Sequence, residues 1–105
     1  MSSNPEFTLQ FSEISREDVR EIGLWYRSQV SGLDERFVAN LGRSALKIQK
    51  NPYSYPICFG VIRAALLNRF PYRIYYFIED RLIKVIVVIH TKRTPKLIRK
   101  RYRNS

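Results

Sequence analysis

The chain has one cysteine, one histidine, one methionine, one tryptophan and four glycines in 105 residues. A single thiol, Cys58, excludes an internal disulfide, and with a single histidine it excludes the usual thiolate-rich zinc sites. None of the glycines stands in a GxGxxG or GxxxxGK[ST] arrangement, so no nucleotide-cradling loop is expected. The longest apolar run without a small residue is Val85-Ile86-Val87-Val88-Ile89, bounded by Lys84 and His90 and far too short to span a bilayer. The N-terminus, Met-Ser-Ser-Asn-Pro-Glu, lacks both the basic start and the apolar stretch of a signal peptide. These absences lead to the expectation of a small, soluble, cytoplasmic domain with no cofactor, no metal and no membrane association.

Acidic residues are scarce, and they are scarcest toward the C-terminus. Nineteen Lys and Arg against nine Asp and Glu give a net charge of +10. Residues 1–40 carry four basic and seven acidic groups, residues 41–80 six and two, and residues 81–105 nine and none. So steep a gradient points to a polyanionic partner, either nucleic acid or an acidic polypeptide. The plainer alternative is a cationic tail that serves solubility. With 45% hydrophobic and 13% aromatic residues, the chain has enough apolar material for a core, and its length suits one domain.

Periodicity divides the chain into elements. Residues 7–12 alternate apolar and polar like a half-buried strand. Ser15 reads as the N-cap of a helix over 15–30, with Glu17 and Asp18 in its first turn. Val19, Ile22, Tyr26 and Val30 recur every three or four residues along it. After Ser31-Gly32, Asp34 reads as the cap of a second helix over 34–51, stopped by Asn51-Pro52. The period then changes to two, giving strands at 61–69, 72–79 and 82–90, the last pair joined by a turn at Glu79-Asp80-Arg81. A basic tail covers 92–103. The expected fold class is α+β, in the order β-α-α-β-β-β, with a helical hairpin on one face of a mostly antiparallel sheet.

Strict alternation puts Ile83, Val85, Val87 and Ile89 on the helix-facing side with Ile74, Tyr76, Ile78, Ile62, Ala64 and Leu66. The other face would then present Arg63, Arg69, Arg73, Tyr75, Lys84 and His90. Cations interleaved with an aromatic suit phosphate and base contacts; an ordinary solvated face is the competing reading. Trp25 and Tyr26 read as core and rim, and Tyr53 and Tyr55 as packing the loop against the sheet edge. Cys58 has no neighbour in sequence that would activate it.

Leu66-Leu67-Asn68-Arg69-Phe70-Pro71-Tyr72-Arg73-Ile74-Tyr75-Tyr76, followed by Val88-Ile89-His90-Thr91-Lys92-Arg93-Thr94-Pro95, resembles the ParE branch of the RelE/ParE toxin superfamily. The pattern is an RxFPYxIYY strand and a hydrophobic strand ending in HxxRxP, and the likeness extends over about residues 7–95. The resemblance implies the toxin of a type II toxin–antitoxin pair, of the kind used for plasmid stabilisation. It further implies neutralisation by a cognate ParD-like antitoxin with an acidic, amphipathic C-terminal segment.

Two mechanisms divide that superfamily. ParE-like members poison DNA gyrase and need no catalytic residues; RelE-like members cut mRNA on the ribosome. For the nuclease, His90 is the candidate acid or base, Arg63, Arg69 and Arg73 are candidate cations, and Tyr102 would reach in from the tail. No carboxylate is well placed, and His90 at a strand end is expected to hold the following turn. The ParE-like motif therefore favours the gyrase reading. Arg63, Arg69, Arg73, Lys84, Arg93, Lys96, Arg99, Lys100 and Arg101 are the candidate contacts to target or nucleic acid. A simple nucleic-acid-binding module using the tail is a third possibility. Because both helices and all strands end before Pro95, residues 96–105 are expected to be dispensable for folding, whereas Arg93 is expected to be tied to the domain body.

Overall fold

A computed structural model describes residues 6–93 and 96–105; Thr94 and Pro95, the end of the HxxRxP-like motif, lie outside the described residues. The elements are β1 (Thr8–Phe11), α1 (Glu13–Gln29), α2 (Leu33–Lys50), a 3-10 turn (Pro52–Ser54), β2 (Ile57–Phe59), β3 (Ile62–Leu66), β4 (Tyr72–Glu79), β5 (Leu82–His90) and α3 (Lys96–Arg103). The sheet order is β1-β5-β4-β3-β2, with β1 parallel to β5 and every other neighbouring pair antiparallel. The α+β class and the order of the expected elements hold. Two elements are additional: the short edge strand β2, and α3, which forms from the basic tail.

Local chemistry moves both helix starts from their expected positions. Ser12, not Ser15, caps α1: its hydroxyl accepts the Ser15 N–H at 3.1 Å. Ser15 is buried one turn in, and its own hydroxyl donates to the Ser12 carbonyl at 2.9 Å. At α2 the cap is Gly32 at φ 87°, a left-handed conformation that glycine adopts without strain, and Asp34 sits in the first turn. Asn51 ends α2 before Pro52, as expected. The strand expected over 61–69 ends at Leu66, because residues 67–71 form the loop into β4.

The sheet is covered on both sides. On the hairpin side, Phe37, Leu41 and Ile48 of α2 and Tyr26 of α1 pack with Ala65, Ile74, Tyr76, Ile83, Val85 and Val88. Phe70 and Tyr72 add rings edge-on to Tyr26 and Phe37, with centroids 5.1–6.1 Å apart. On the opposite side, Ile62, Phe77, Ile86, Val87 and Ile89 form a second cluster that Ile98 of α3 closes. The face expected to lie open is therefore the floor under α3.

A bulge in β5 redistributes the strand faces. Tyr75 pairs with Val87 but Tyr76 pairs with Val85, so Ile86 is one residue extra. An extra residue reverses the alternation beyond it. Val87 and Ile89, expected under the helices, thus join the α3 side, while Val88 turns to the hairpin. The expected faces of β3 are also exchanged. Arg63 pairs with Tyr76 and Ala65 with Ile74, and directly opposed residues share a face.

Candidate functional site

The candidate cations of the sequence do not form one surface. Arg63 lies on the hairpin side of the sheet edge, where its guanidinium donates to the Tyr53 and Tyr55 carbonyls at 3.0 and 2.7 Å. It also sits over the Tyr53 ring, 5.3 Å from the centroid. Lys84 is on the α3 side, paired with Glu79 at 3.1 Å and above the Phe77 ring. Arg73 and Tyr75 share that side by strand alternation. Arg69 is in the β3–β4 loop and lines a groove of about 910 Å³ against α2, together with Arg36, Arg43 and Phe70.

His90 is brought to the hairpin side by the bulge, edge-on to Tyr72 with ring centroids 5.2 Å apart. Its Nδ1 accepts the Lys92 N–H at 3.1 Å, and its carbonyl accepts the Arg93 N–H at 3.0 Å. An accepting Nδ1 places the imidazole proton on Nε2. The histidine therefore holds the turn after β5, as expected, and the Arg93 backbone is tied to the domain body. A hollow of about 260 Å³ beside it is lined by Asp18, Glu21, Arg93 and Arg101 among others. Asp18 and Glu21 of α1 line the same hollow as His90, but both Asp18 oxygens are engaged by Arg101 and the Val88 N–H.

The tail is part of the fold. Arg101 of α3 makes a two-pronged ion pair with Asp18 of α1, both contacts 2.9 Å, and both side chains are largely buried. The same guanidinium donates to the Ile86 carbonyl at 2.8 Å, and the Asp18 carboxylate accepts the Val88 N–H at 3.1 Å. The Ile86 carbonyl belongs to the bulge and the Val88 N–H lies just beyond it, on the edge of β5 that β1, which ends opposite Val85, leaves without a strand partner. One ion pair thus satisfies the bulge and joins α1, β5 and α3. Tyr102 packs edge-on against Phe77 at 5.0 Å, and Arg99 lies over Phe59 at 4.4 Å. Arg101, expected to face a target, is held inside the domain, and α3 is no longer expected to be dispensable for folding. Arg93, Lys96, Arg99 and Lys100 remain at the surface.

Cys58 lies in β2 with its side chain exposed, and desolvation raises its pKa above the ordinary thiol value. Sequence reasoning passed over a row of cations on α2. Arg36, Arg43, Lys47 and Lys50 are all exposed and follow a three-and-four spacing from Arg36 through Asn40. That spacing was readable in the sequence.

A five-stranded sheet with a helical hairpin on one face and a short basic helix on the other defines a small basic α+β domain. The family model described as "ParE toxin of type II toxin-antitoxin system, parDE" matches residues 9–95. The chain belongs to the ParE toxin family. Among solved structures, a chain of the "Chromosomal ParDE TA system from P. aeruginosa" is similar at a TM-score of 0.74 and 13% identity. That match covers 83% of this chain and 98% of the other. No curated protein matches the sequence. No helix among the described residues is long and apolar enough to cross a membrane.

Proposed function

We propose that this ParE-family toxin arrests growth by poisoning DNA gyrase through surface contacts, and that a cognate antitoxin with an acidic segment neutralises it. One observation carries the non-enzymatic half of the reading: the residues of the nuclease alternative are dispersed. His90 is on the hairpin side of the sheet, and Arg73, two residues from Tyr75 on the neighbouring strand, is on the α3 side. Tyr102 is packed on Phe77, and Arg69 lies across the loop in the α2 groove. Metal-free RNA cleavage needs an acid, a base and a cation within hydrogen-bond reach of one phosphate. Membership of the ParE family supports the same reading.

The test uses purified chain with gyrase and plasmid DNA. Trapped cleavage complexes, seen as linear plasmid after protease treatment, are expected, together with filamentation of induced cells and intact translated mRNA. Ribosome-dependent cuts in the RNA of induced cells would refute the proposal. The nuclease reading keeps one supporting feature, the hollow that Glu21 and His90 both line; in that case His90→Ala abolishes the cuts.

A further inference from the structure

We propose that the outer face of α3, built from Lys96, Arg99, Lys100 and Arg103, is a contact surface for the phosphate backbone of a B-form DNA duplex, with the short helix lying along one major groove. The inference goes beyond the gyrase reading above and stands without it, because the partner is the DNA itself.

The four cations share one side of the helix. At about 100° per residue, positions 96, 99, 100 and 103 fall within an arc of about 100°, across the helix from the buried Ile98. All four are exposed, and no acidic residue follows Asp80 in the chain. Asp18 and Glu79, which reach this side of the sheet, are already paired with Arg101 and Lys84. Among the described residues, no carboxylate pairs with Lys96, Arg99, Lys100 or Arg103. Folding does not account for the row, since like charges three and four residues apart repel. Lys96 also stands in the first turn, where the helix dipole disfavours a cation. Ile98, Tyr102 and the Arg101–Asp18 pair hold the helix in place, and none of them belongs to the row.

The surroundings of the row select the kind of polyanion. Its arc is charged throughout, because Leu97, Ile98 and Tyr102 fall outside it, so an amphipathic polypeptide would find no apolar position to cover. Single-stranded nucleic acid is gripped by stacking bases on free aromatic faces. Here Tyr102 is packed edge-on against Phe77, and the Phe59 ring is occupied by Arg99 at 4.4 Å. That contact orders the guanidinium without consuming an N–H, which leaves its donors for phosphate oxygens. The row extends about 10 Å along the helix axis from Lys96 to Arg103. The major groove of B-DNA is about 12 Å wide and admits an α-helix, so cations along such a row reach the phosphates that wall it. The deep, narrow major groove of an RNA duplex does not admit the helix.

Fluorescence anisotropy of the purified chain is recorded over a series of salt concentrations with three probes: a short DNA duplex, an RNA duplex of the same sequence and poly-L-glutamate. The DNA duplex is expected to bind at least about tenfold more tightly than either of the others. Its log affinity is expected to fall against log salt with a slope of about −3 to −4, as for four neutralised phosphates. The triple variant K96Q/K100Q/R103Q is expected to bind DNA about tenfold or more weakly and to flatten the slope by about 2 to 3, with an unchanged melt. Lys100→Gln alone is expected to flatten it by about 1, a readout that survives if the triple variant melts early. The control R43Q/K47Q/K50Q removes three charges from exposed positions of α2 and is expected to keep the parent slope. The proposal is overturned if that control flattens the slope as much as the α3 triple, since binding then follows net charge alone. It is equally overturned if the RNA duplex or poly-L-glutamate binds as tightly as the DNA. Trapped gyrase cleavage complexes from a chain that does not bind free duplex overturn this inference and leave the gyrase reading standing; duplex binding without trapped complexes does the reverse.

Discussion

Removing the Arg101 guanidinium with Arg101→Met tests whether α3 is latched to the domain. The substitution keeps an unbranched apolar stem against the second cluster and deletes both contacts to Asp18 and the one to the Ile86 carbonyl. Asp18 is then left as a mostly buried carboxylate whose remaining bond is the Val88 N–H. Breaking a buried pair by removing one partner costs about 3 kcal/mol at the lower end of the usual range, which fits side chains that keep 12% and 16% exposure. For a domain of this size that corresponds to a fall in Tm of roughly 12–15 °C. Asp18→Asn is expected to cost less, since an amide oxygen still accepts the Val88 N–H. The double variant D18L/R101M is not expected to recover stability, because it leaves the Ile86 carbonyl of the bulge and the Val88 N–H beyond it unsatisfied. Thermal melts followed by circular dichroism measure all three. A change of under about 2 °C in Arg101→Met would refute the latch. Truncation after residue 95 uncovers Ile62, Phe77 and Ile89 and is expected to give an aggregating or molten chain, read by dye binding and gel filtration.

The Tyr76 hydroxyl is buried and donates to the Pro52 carbonyl at 2.7 Å, so Tyr76→Phe is expected to lower stability by about 1–2 kcal/mol in urea unfolding. Burial, with Tyr72 beside it, pushes Tyr26 up to about 12, and burial raises Tyr76 as well. A raised folded pKa gives stability that is complete below the ordinary tyrosine value near 10 and lost as pH rises toward 12. Melts at increasing alkaline pH should therefore show the decline beginning only above about pH 10, and a flat profile would contradict it. Asp80 takes φ 57° in the two-residue turn between β4 and β5, so Asp80→Gly is expected to stabilise by a few tenths to about 1 kcal/mol, measured by the urea midpoint.

The amino-acid sequence by itself determined the α+β class, the two long helices, the three main strands and the turn at Asp80-Arg81. It did so because these elements are set by local periodicity, by Gly32 and by Asn51-Pro52. It also carried the family, through the Arg69–Tyr76 and His90–Pro95 motifs, and the charge gradient. The turn-holding role of His90 was legible too, since it depends on neighbours two and three residues away. Which way each cation points was not legible. A one-residue bulge at Ile86 leaves no mark in a run of five consecutive apolar residues, yet it moves Val87, Val88 and His90 to opposite faces. The pairing partner, not the strand's own alternation, placed Arg63 on the hairpin side. The tail looked like a solvated basic segment because Leu97, Ile98 and Tyr102 are few. They suffice because the sheet offers them an apolar floor, and because Asp18, 83 residues away in sequence, accepts Arg101. Contacts between residues so distant in the chain have no local signature, and only the packed tertiary structure decides them.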